Sequence, residues 1–216
     1  MKVHLFDSPH WKEVRELITD DELQYAVEQA YGSARKYLPS MSDFVNITIE
    51  PVMKDGVIPE THVAGITYNG AFLSLLFDKN IPIPKNQLLN NLQKIMFHEL
   101  THIATFSHDP WQPGAIFGVV TEGLATVFER DYAKSEPLWG RYEVDSVMRS
   151  WYDELKSLPY STTKNMHYFT DHPDGRRWIV YKTGTWIIDK LVNSGEDLFD
   201  LMNLSHAEII QKFEAL

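Results

Sequence analysis

The feature that most constrains this chain is a long amphipathic segment between Pro84 and Pro110. Its apolar residues recur at intervals of three and four positions, as one buried face of a helix requires. These residues are Leu88, Leu89, Leu92, Ile95, Met96, Ile103 and Ala104. Lys85 or Asn86 can open the helix, and Pro110 ends it, because a residue before proline is pushed out of the α region. The pattern predicts one helix of about twenty residues.

Two histidines near the middle of this helix, His98 and His102, are four positions apart. Because a helix has about 3.6 residues per turn, both imidazoles lie on one face and can hold the same Zn²⁺ ion. Glu99 stands beside that point, where its carboxylate can take a proton from a water molecule. Residues 98–102 therefore form the HExxH motif of zinc hydrolases. The other explanation is a chance match in a metal-free helical domain, because the chain has nine histidines.

The composition limits the ligands and partners that the chain can have. The chain has no cysteine, which excludes disulfides and thiolate ligands, so a metal must be held by His, Asp or Glu. The same absence fits a reducing compartment, and we expect a cytoplasmic protein. The net charge of −10 argues against nucleic acid as a partner. Neither a signal peptide nor a membrane span is expected, because residues 1–14 have no apolar core and no run reaches about eighteen apolar residues.

The order of the predicted elements indicates an α+β chain. We expect a helix over 20–38, capped by Thr19 or Asp20, and then a small antiparallel sheet. Its strands are predicted at 45–52, 63–68 and 71–77, with an Asn69-Gly70 turn between the last two. Further helices are predicted at 116–132, 138–158 and 177–193, and a last one is capped by Ser205. We expect one domain over 1–216, with a helix-and-sheet lobe over about 1–84 and a helical lobe over about 85–216 that carries the metal site.

A catalytic zinc site usually has three protein ligands and one open position, so a third ligand is needed besides the two histidines. Glu122 is the best candidate, because it lies on the next predicted helix, 20 residues after His102. A loop and one helical turn can fold that helix back against the first. The alternative for Glu122 is a carboxylate in the first turn of a helix, where the helix dipole favours it. Other candidate ligands are His108, Asp109 and His172.

These residues resemble the gluzincin metallopeptidases, in which HExxH is followed by a ligand glutamate on a second helix. The chain is more closely similar to a bacterial family of predicted zinc-dependent proteases of unknown function. The shared segments are His98–His102, Glu122–Ala125, Tyr181–Gly184 and Leu201–Ser205, and the resemblance spans roughly residue 60 to the end. It implies a zincin-like fold and a zinc ion held by His98, His102 and Glu122, with Glu99 as the general base.

The chain departs from the thermolysin branch at Thr126, where that branch has an aspartate that orients the first histidine. Glu129 lies on the same helix face as Glu122 and could orient His98 or His102 instead. The alternative for Glu129 is an exposed surface charge.

Gluzincins often use a Tyr or His of a later helix to stabilise the oxyanion, and Tyr181 is the first choice for this role. The alternative for Tyr181 is a half-buried tyrosine on an amphipathic helix. His167 and His172 are its rivals, although each is also explained as a loop histidine.

Two functions from different classes follow from these residues. The first is a zinc metallopeptidase with a peptide or protein substrate, and the intact Glu99 favours it. The second is a zinc-containing binding or regulatory protein that kept the fold and the metal but cleaves nothing. Peptide metalloproteases commonly bind substrate as an added strand on a sheet edge, so strand 63–68 or strand 71–77 is expected to be that edge. The oligomeric state does not follow from the sequence.

Overall fold

The computed structural model describes residues 1–107, 114–159 and 165–216, and the chain divides into two compact units, 1–104 and 105–216. The elements of the first unit are β1 (Lys2–His4), α1 (Trp11–Val14), α2 (Asp20–Arg35), β2 (Asn46–Val52), β3 (Val63–Asn69), β4 (Phe72–Asp78) and α3 (Lys85–Thr105). Those of the second are α4 (Ala115–Tyr132), α5 (Asp145–Ser157), α6 (Ile179–Asn193), α7 (Leu198–Leu201) and α8 (His206–Glu214). The protein is thus an α+β chain in which helices predominate. Within the described ranges, no helix combines the length and the hydropathy needed to cross a bilayer.

The four strands form one mixed sheet in the order β1-β2-β4-β3. The prediction of an antiparallel sheet is wrong, because β1, β2 and β4 run parallel and β3 alone is antiparallel to its neighbour. Strand β4 pairs with β3 along one side, through the hairpin that joins them. All seven residues of β2 pair with the other side of β4. Leu73, Leu75 and Phe77 of β4 are fully buried, as expected for an interior strand.

The hairpin turns at the predicted Asn69-Gly70, where the Asn69 side chain accepts a hydrogen bond of 2.9 Å from the Ala71 backbone N–H. β3 is therefore the edge strand of this end of the sheet. Apart from a bridge between Val63 and Ile58, its outer edge pairs with no strand in the part of the chain that the structure describes.

Helix α3 begins at Lys85, directly after Pro84, as predicted. The predicted lobe boundary lay at about residue 84, but the division in the structure follows Ala104, so nearly all of α3 belongs to the first unit. Side chains of α3 interact with other residues of that unit: Asn91 donates a hydrogen bond to the Thr61 carbonyl at 2.8 Å, and Lys85 forms an ion pair with Glu22 at 2.6 Å. Its apolar face supplies much of the core, through Leu88, Leu92, Ile95, Met96, Leu100 and Ile103.

Both predicted N-caps are confirmed. Thr19 caps α2 with Glu22 in a capping box, and Ser205 caps α8 with Glu208 in the same arrangement. In each case the hydroxyl accepts from the third residue of the helix while the glutamate accepts from the capping residue's N–H. These local signals depend on residues within one turn, which explains why the sequence was sufficient to find them.

Two predicted helices of the second unit differ from the observed ones. Residues 138–158 form a short 3-10 helix, Leu138–Gly140, and then α5, because Arg141 and Val144 have extended backbone conformations and residues 141–144 belong to no helix. The first residue of α5, Asp145, accepts a hydrogen bond of 3.0 Å from the Trp186 indole N–H. Helix α6 begins at residue 179 rather than 177, because Trp178 has a left-handed backbone conformation with φ of 58°.

The second unit is organised by the contact between α4 and α6, which touch at Gly123 and Gly184. A Cβ added to Gly184 would lie 2.0 Å from the Val119 carbonyl oxygen and 2.8 Å from Gly123. A Cβ added to Gly123 would lie 2.5 Å from the Gly184 backbone. The two helix backbones therefore meet with no side chain between them, which only glycine allows.

We expect Gly184→Ala to lower the free energy of unfolding by about 3 kcal/mol, because overpacking against a backbone cannot be relieved by a side-chain rotation. Gly32→Ala is the matched control. Gly32 lies within α2, and nothing stands within 4 Å of its added Cβ. That change should raise the unfolding free energy by about 0.5–1 kcal/mol, since alanine is the better helix former. Urea unfolding followed by circular dichroism measures both, and a shift of both variants in one direction would contradict the packing argument.

Candidate metal centre

Three side chains of α3 form a compact group of possible metal ligands: His98, Glu99 and His102. One ligand atom of each residue lies within 4.8 Å of those of the other two. The two imidazole centroids are 4.9 Å apart, and the rings are inclined by 78°. His98 and Glu99 are 3% and 4% exposed, whereas His102 is half-buried. The structure thus brings together the three HExxH residues as the helical spacing predicts.

The helix holds this group firmly because the residues around it are part of the core. Phe97, Leu100 and Ile103 are buried, and they fix the rotation of α3 about its axis. The Thr101 hydroxyl donates to the Phe97 carbonyl one turn earlier, at 3.0 Å, so it makes its hydrogen bond within the helix. The imidazoles are therefore carried by a rigid element rather than by a loop.

Strand β3 provides a specific place for the Glu99 carboxylate. The Thr67 hydroxyl lies 2.8 Å from Glu99 Oε2 and 3.1 Å from the Glu99 carbonyl oxygen, and its single proton can be donated to either. Gly65, two residues earlier on the same face of β3, leaves room for the carboxylate. A Cβ at Gly65 would lie 2.3 Å from Glu99 Cγ and 2.4 Å from Oε1. The glutamate thus rests directly against the strand backbone.

Sequence reasoning missed both residues of β3 that contact Glu99. A glycine inside a strand pattern is a known sign of close approach by another group, so Gly65 had a signal that could have been followed. Thr67 had none, because a threonine in a strand is ordinary. Which strand faces α3 depends on the sheet order, and that order was not available from the sequence.

The donor set fits a divalent cation. Two imidazole nitrogens and a carboxylate are the ligand types that zinc and similar ions take in the absence of thiolates. Glu99 is a buried carboxylate, and a buried charge is costly unless it is hydrogen-bonded or paired. Thr67 supplies a hydrogen bond, and in the described ranges Glu99 pairs with no lysine or arginine. A cation beside the imidazoles would supply the missing positive charge.

The predicted third ligand and oxyanion donor belong to the second unit. Glu122 is the eighth residue of α4, so the alternative that it sits in a first helical turn is wrong. Tyr181 lies in the first turn of α6, and both side chains are half-buried. The Tyr181 ring contacts Trp178 and Phe169, with centroids 5.6 and 6.3 Å away. Their roles as ligand and donor stay predictions.

The glycines of the two motifs have a structural explanation. Gly123 follows Glu122 directly, and Gly184 ends the segment Tyr181–Gly184; these are the two glycines at which α4 and α6 touch. The Glu-Gly-Leu-Ala and Tyr-x-x-Gly segments are therefore parts of one helix contact. Glu122 and Tyr181 are carried by two helices whose separation is set by that contact.

The structure tests some of the remaining predicted site residues and leaves others untested. Glu129 is 1% exposed and accepts a hydrogen bond of 2.7 Å from Ser135, so its interpretation as an exposed surface charge is wrong. Its role in orienting a histidine stays a prediction. Thr126 is fully buried beside Gly140. His108 and Asp109 lie outside the described residues.

His167 and His172 lie before α6 in a segment that ion pairs hold in place. His172 pairs with Asp174 at 2.7 Å, and its ring lies 4.7 Å from that of His167. Arg176 donates to both carboxylate oxygens of Glu154, at 2.7 and 2.9 Å, and thereby lowers the pKa of Glu154 below its ordinary value. Burial, with the Glu154 carboxylate as its hydrogen-bond partner, raises the pKa of Tyr168 to about 12. The ion pairs and hydrogen bonds of these polar groups thus hold the segment in place.

Comparison with protein-family models, with curated proteins and with solved structures finds no match for this chain.

We expect Gly65→Ala to lower the free energy of unfolding by about 1–3 kcal/mol, because its methyl group would overlap the Glu99 side chain. The three atoms nearest to the added Cβ all belong to Glu99. In a Glu99→Ala background the same change should therefore cost almost nothing, which a double-mutant cycle of urea unfolding measures. An equal cost in both backgrounds would show that something other than Glu99 occupies this space.

Proposed function

We propose that this protein is a zinc-dependent metallopeptidase of the gluzincin type with a zincin-like fold. The observation that carries the proposal is the group His98, Glu99 and His102, whose ligand atoms lie within 4.8 Å of one another on one rigid helix. The buried carboxylate against β3 adds to it, because a general base needs a fixed place next to the reacting water. A protein that only binds zinc has no need of that base.

In this proposal His98 and His102 hold the zinc ion together with Glu122 as the third ligand. A bound zinc ion would supply Lewis acidity, which makes water a better nucleophile and polarises the carbonyl of the scissile peptide bond. The range of possible third ligands is narrow, since the chain has no cysteine and the ion requires His, Asp or Glu. His108, Asp109 and His172 are the alternatives to Glu122.

Glu99 would act as the proton carrier. Its Oε2 accepts from the Thr67 hydroxyl, and the other carboxylate oxygen is left to take a proton from the attacking water. The same carboxyl group would later give that proton to the leaving amine. Tyr181 is proposed to donate a hydrogen bond to the oxyanion that develops on the substrate carbonyl.

The substrate would bind as an extended peptide along β3. The sequence left open which of two strands is the edge; β3 is the edge and β4 is interior. An edge strand presents unpaired backbone N–H and C=O groups that an extended peptide can pair with. Because Glu99 rests against β3, a peptide added to this strand would run close to the base. Cytoplasmic location and a peptide or protein partner belong to the same proposal.

The alternative is a zinc-containing binding or regulatory protein that cleaves nothing. It shares the metal and the fold with the peptidase, so metal content does not separate the two. Turnover that depends on Glu99 does.

We expect the purified protein to bind about one equivalent of zinc and His98→Ala or His102→Ala to abolish this binding, because each removes one of three ligands. His4→Ala is the control: His4 lies in the same unit, on β1, and bonds to the Asn46 side chain at 3.0 Å. Elemental analysis after dialysis measures the metal content. Glu122→Ala should weaken zinc binding as well. Full retention of zinc in that variant would show that another residue is the third ligand. A wild-type protein without metal would end the proposal.

We expect Glu99→Gln to keep its zinc and to lower kcat/KM by about 10²–10⁴-fold, the usual contribution of a general base. Glu16→Gln, an exposed glutamate in the same unit, is the matched control and should leave turnover unchanged. Hydrolysis of a quenched fluorescent peptide library measures this. If wild type and Glu99→Gln are equally inert across the library, the protein is a zinc-binding protein rather than a peptidase.

A further inference from the structure

We propose that Thr67 is a positioning residue that keeps Glu99 available as a base by preventing it from becoming a metal ligand. This inference rests on the proposed function, because it concerns the same metal centre. It assigns to the edge strand a task beyond substrate binding: β3 also sets the position of the proton carrier.

The need for such a restraint follows from the geometry of the HExxH group. A carboxylate oxygen of Glu99 lies within 4.8 Å of a ring nitrogen of each histidine. A cation held by the two imidazoles would attract this carboxylate, and two histidines with one glutamate are a complete set of three protein ligands. If Glu99 turned toward the ion, its oxygen would take a coordination position, and no base would remain beside the water.

Two features of β3 hold the carboxylate back. The Thr67 hydroxyl donates to Oε2 at 2.8 Å, and hydrogen bonds to a charged acceptor are stronger than those to a neutral one. Gly65 provides the space for this position, because any side chain there would overlap Glu99. Residues two apart in a strand share a face, so the donor and the space lie side by side. The carboxylate is thus drawn toward the strand.

A purely structural role for Thr67 is the competing explanation. The same hydroxyl lies 3.1 Å from the Glu99 carbonyl oxygen, so it could simply tie β3 to the backbone of α3. The two roles predict different results for zinc affinity. Loss of a structural tie would loosen α3 and weaken zinc binding, whereas loss of the restraint would release Glu99 to join the ligands and strengthen it.

The variant that separates these roles is Thr67→Val, which keeps the shape of the side chain and removes the hydroxyl. We expect its kcat to fall by roughly tenfold to hundredfold with KM within about twofold of wild type, as for other groups that orient a reacting residue. Thr67→Ser keeps the donor and should restore most of the turnover. Thr48→Val is the control within the same sheet: Thr48 lies on β2, which β4 separates from β3, and its hydroxyl bonds to Ser74 at 2.5 Å. This variant should cost stability and leave kcat unchanged.

Zinc affinity, measured by competition with a chromogenic chelator, gives a second result that needs no turnover. Thr67→Val should bind zinc more tightly than wild type, and Thr67→Val combined with Glu99→Gln should lose this gain, because the amide is a poor ligand. Weaker binding in Thr67→Val, or a gain that survives Glu99→Gln, would overturn the proposal, as would a kcat within about twofold of wild type.

The two proposals can fail separately. If the wild type binds zinc but cleaves no peptide, the peptidase proposal fails, and the affinities of the two Thr67 variants still decide whether Thr67 restrains Glu99. If the wild type cleaves peptides in a Glu99-dependent way and Thr67→Val behaves like wild type in both assays, only the positioning role is overturned. Absence of zinc binding in the wild type overturns both.

Discussion

A buried carboxylate is the constraint on which the rest of the candidate site depends. Glu99 is almost fully removed from water on the helix that carries both histidines, and burial of a charge is unfavourable unless other groups compensate for it. Thr67 supplies a hydrogen bond, and two imidazoles beside the carboxylate provide the ligands for a cation. Burial of this carboxylate is therefore unfavourable for stability unless the hydrogen bond and a cation offset it.

Close backbone approach, made possible by glycine, is the second recurring device. At Gly65 it lets the Glu99 side chain lie against an edge strand, and at Gly123 and Gly184 it lets two helices touch. In each case the glycine stands next to, or within one turn of, a residue with a proposed role. Glycine costs conformational entropy in a strand or helix interior, so three such positions near the proposed site residues indicate that close approach is worth this cost.

The sequence pattern was sufficient to predict those features that depend only on residues close together in the chain. The spacing of four residues places His98 and His102 on one face of α3 in any context, and the capping boxes at Thr19 and Ser205 involve only residues within one turn. The hairpin at Asn69-Gly70 is local for the same reason. The errors arose where distant residues compete. Nothing near β2 in the chain reveals that it pairs in parallel with β4, and nothing near Trp178 reveals its left-handed conformation at the start of α6.

The sequence by itself determined the side chains of the candidate site: which residue types stand at helical spacing, that no thiolate is present, and that a glutamate adjoins two imidazoles on one helix face. These properties follow from the period of the helix and from composition, which do not change with the fold. Only the tertiary structure decided that β3 is the edge strand and that its Gly65 and Thr67 receive Glu99. Glu99 is more than thirty positions away from both residues in the chain. Such a contact depends on strand order, which arises from the packing of the whole unit rather than from any local preference.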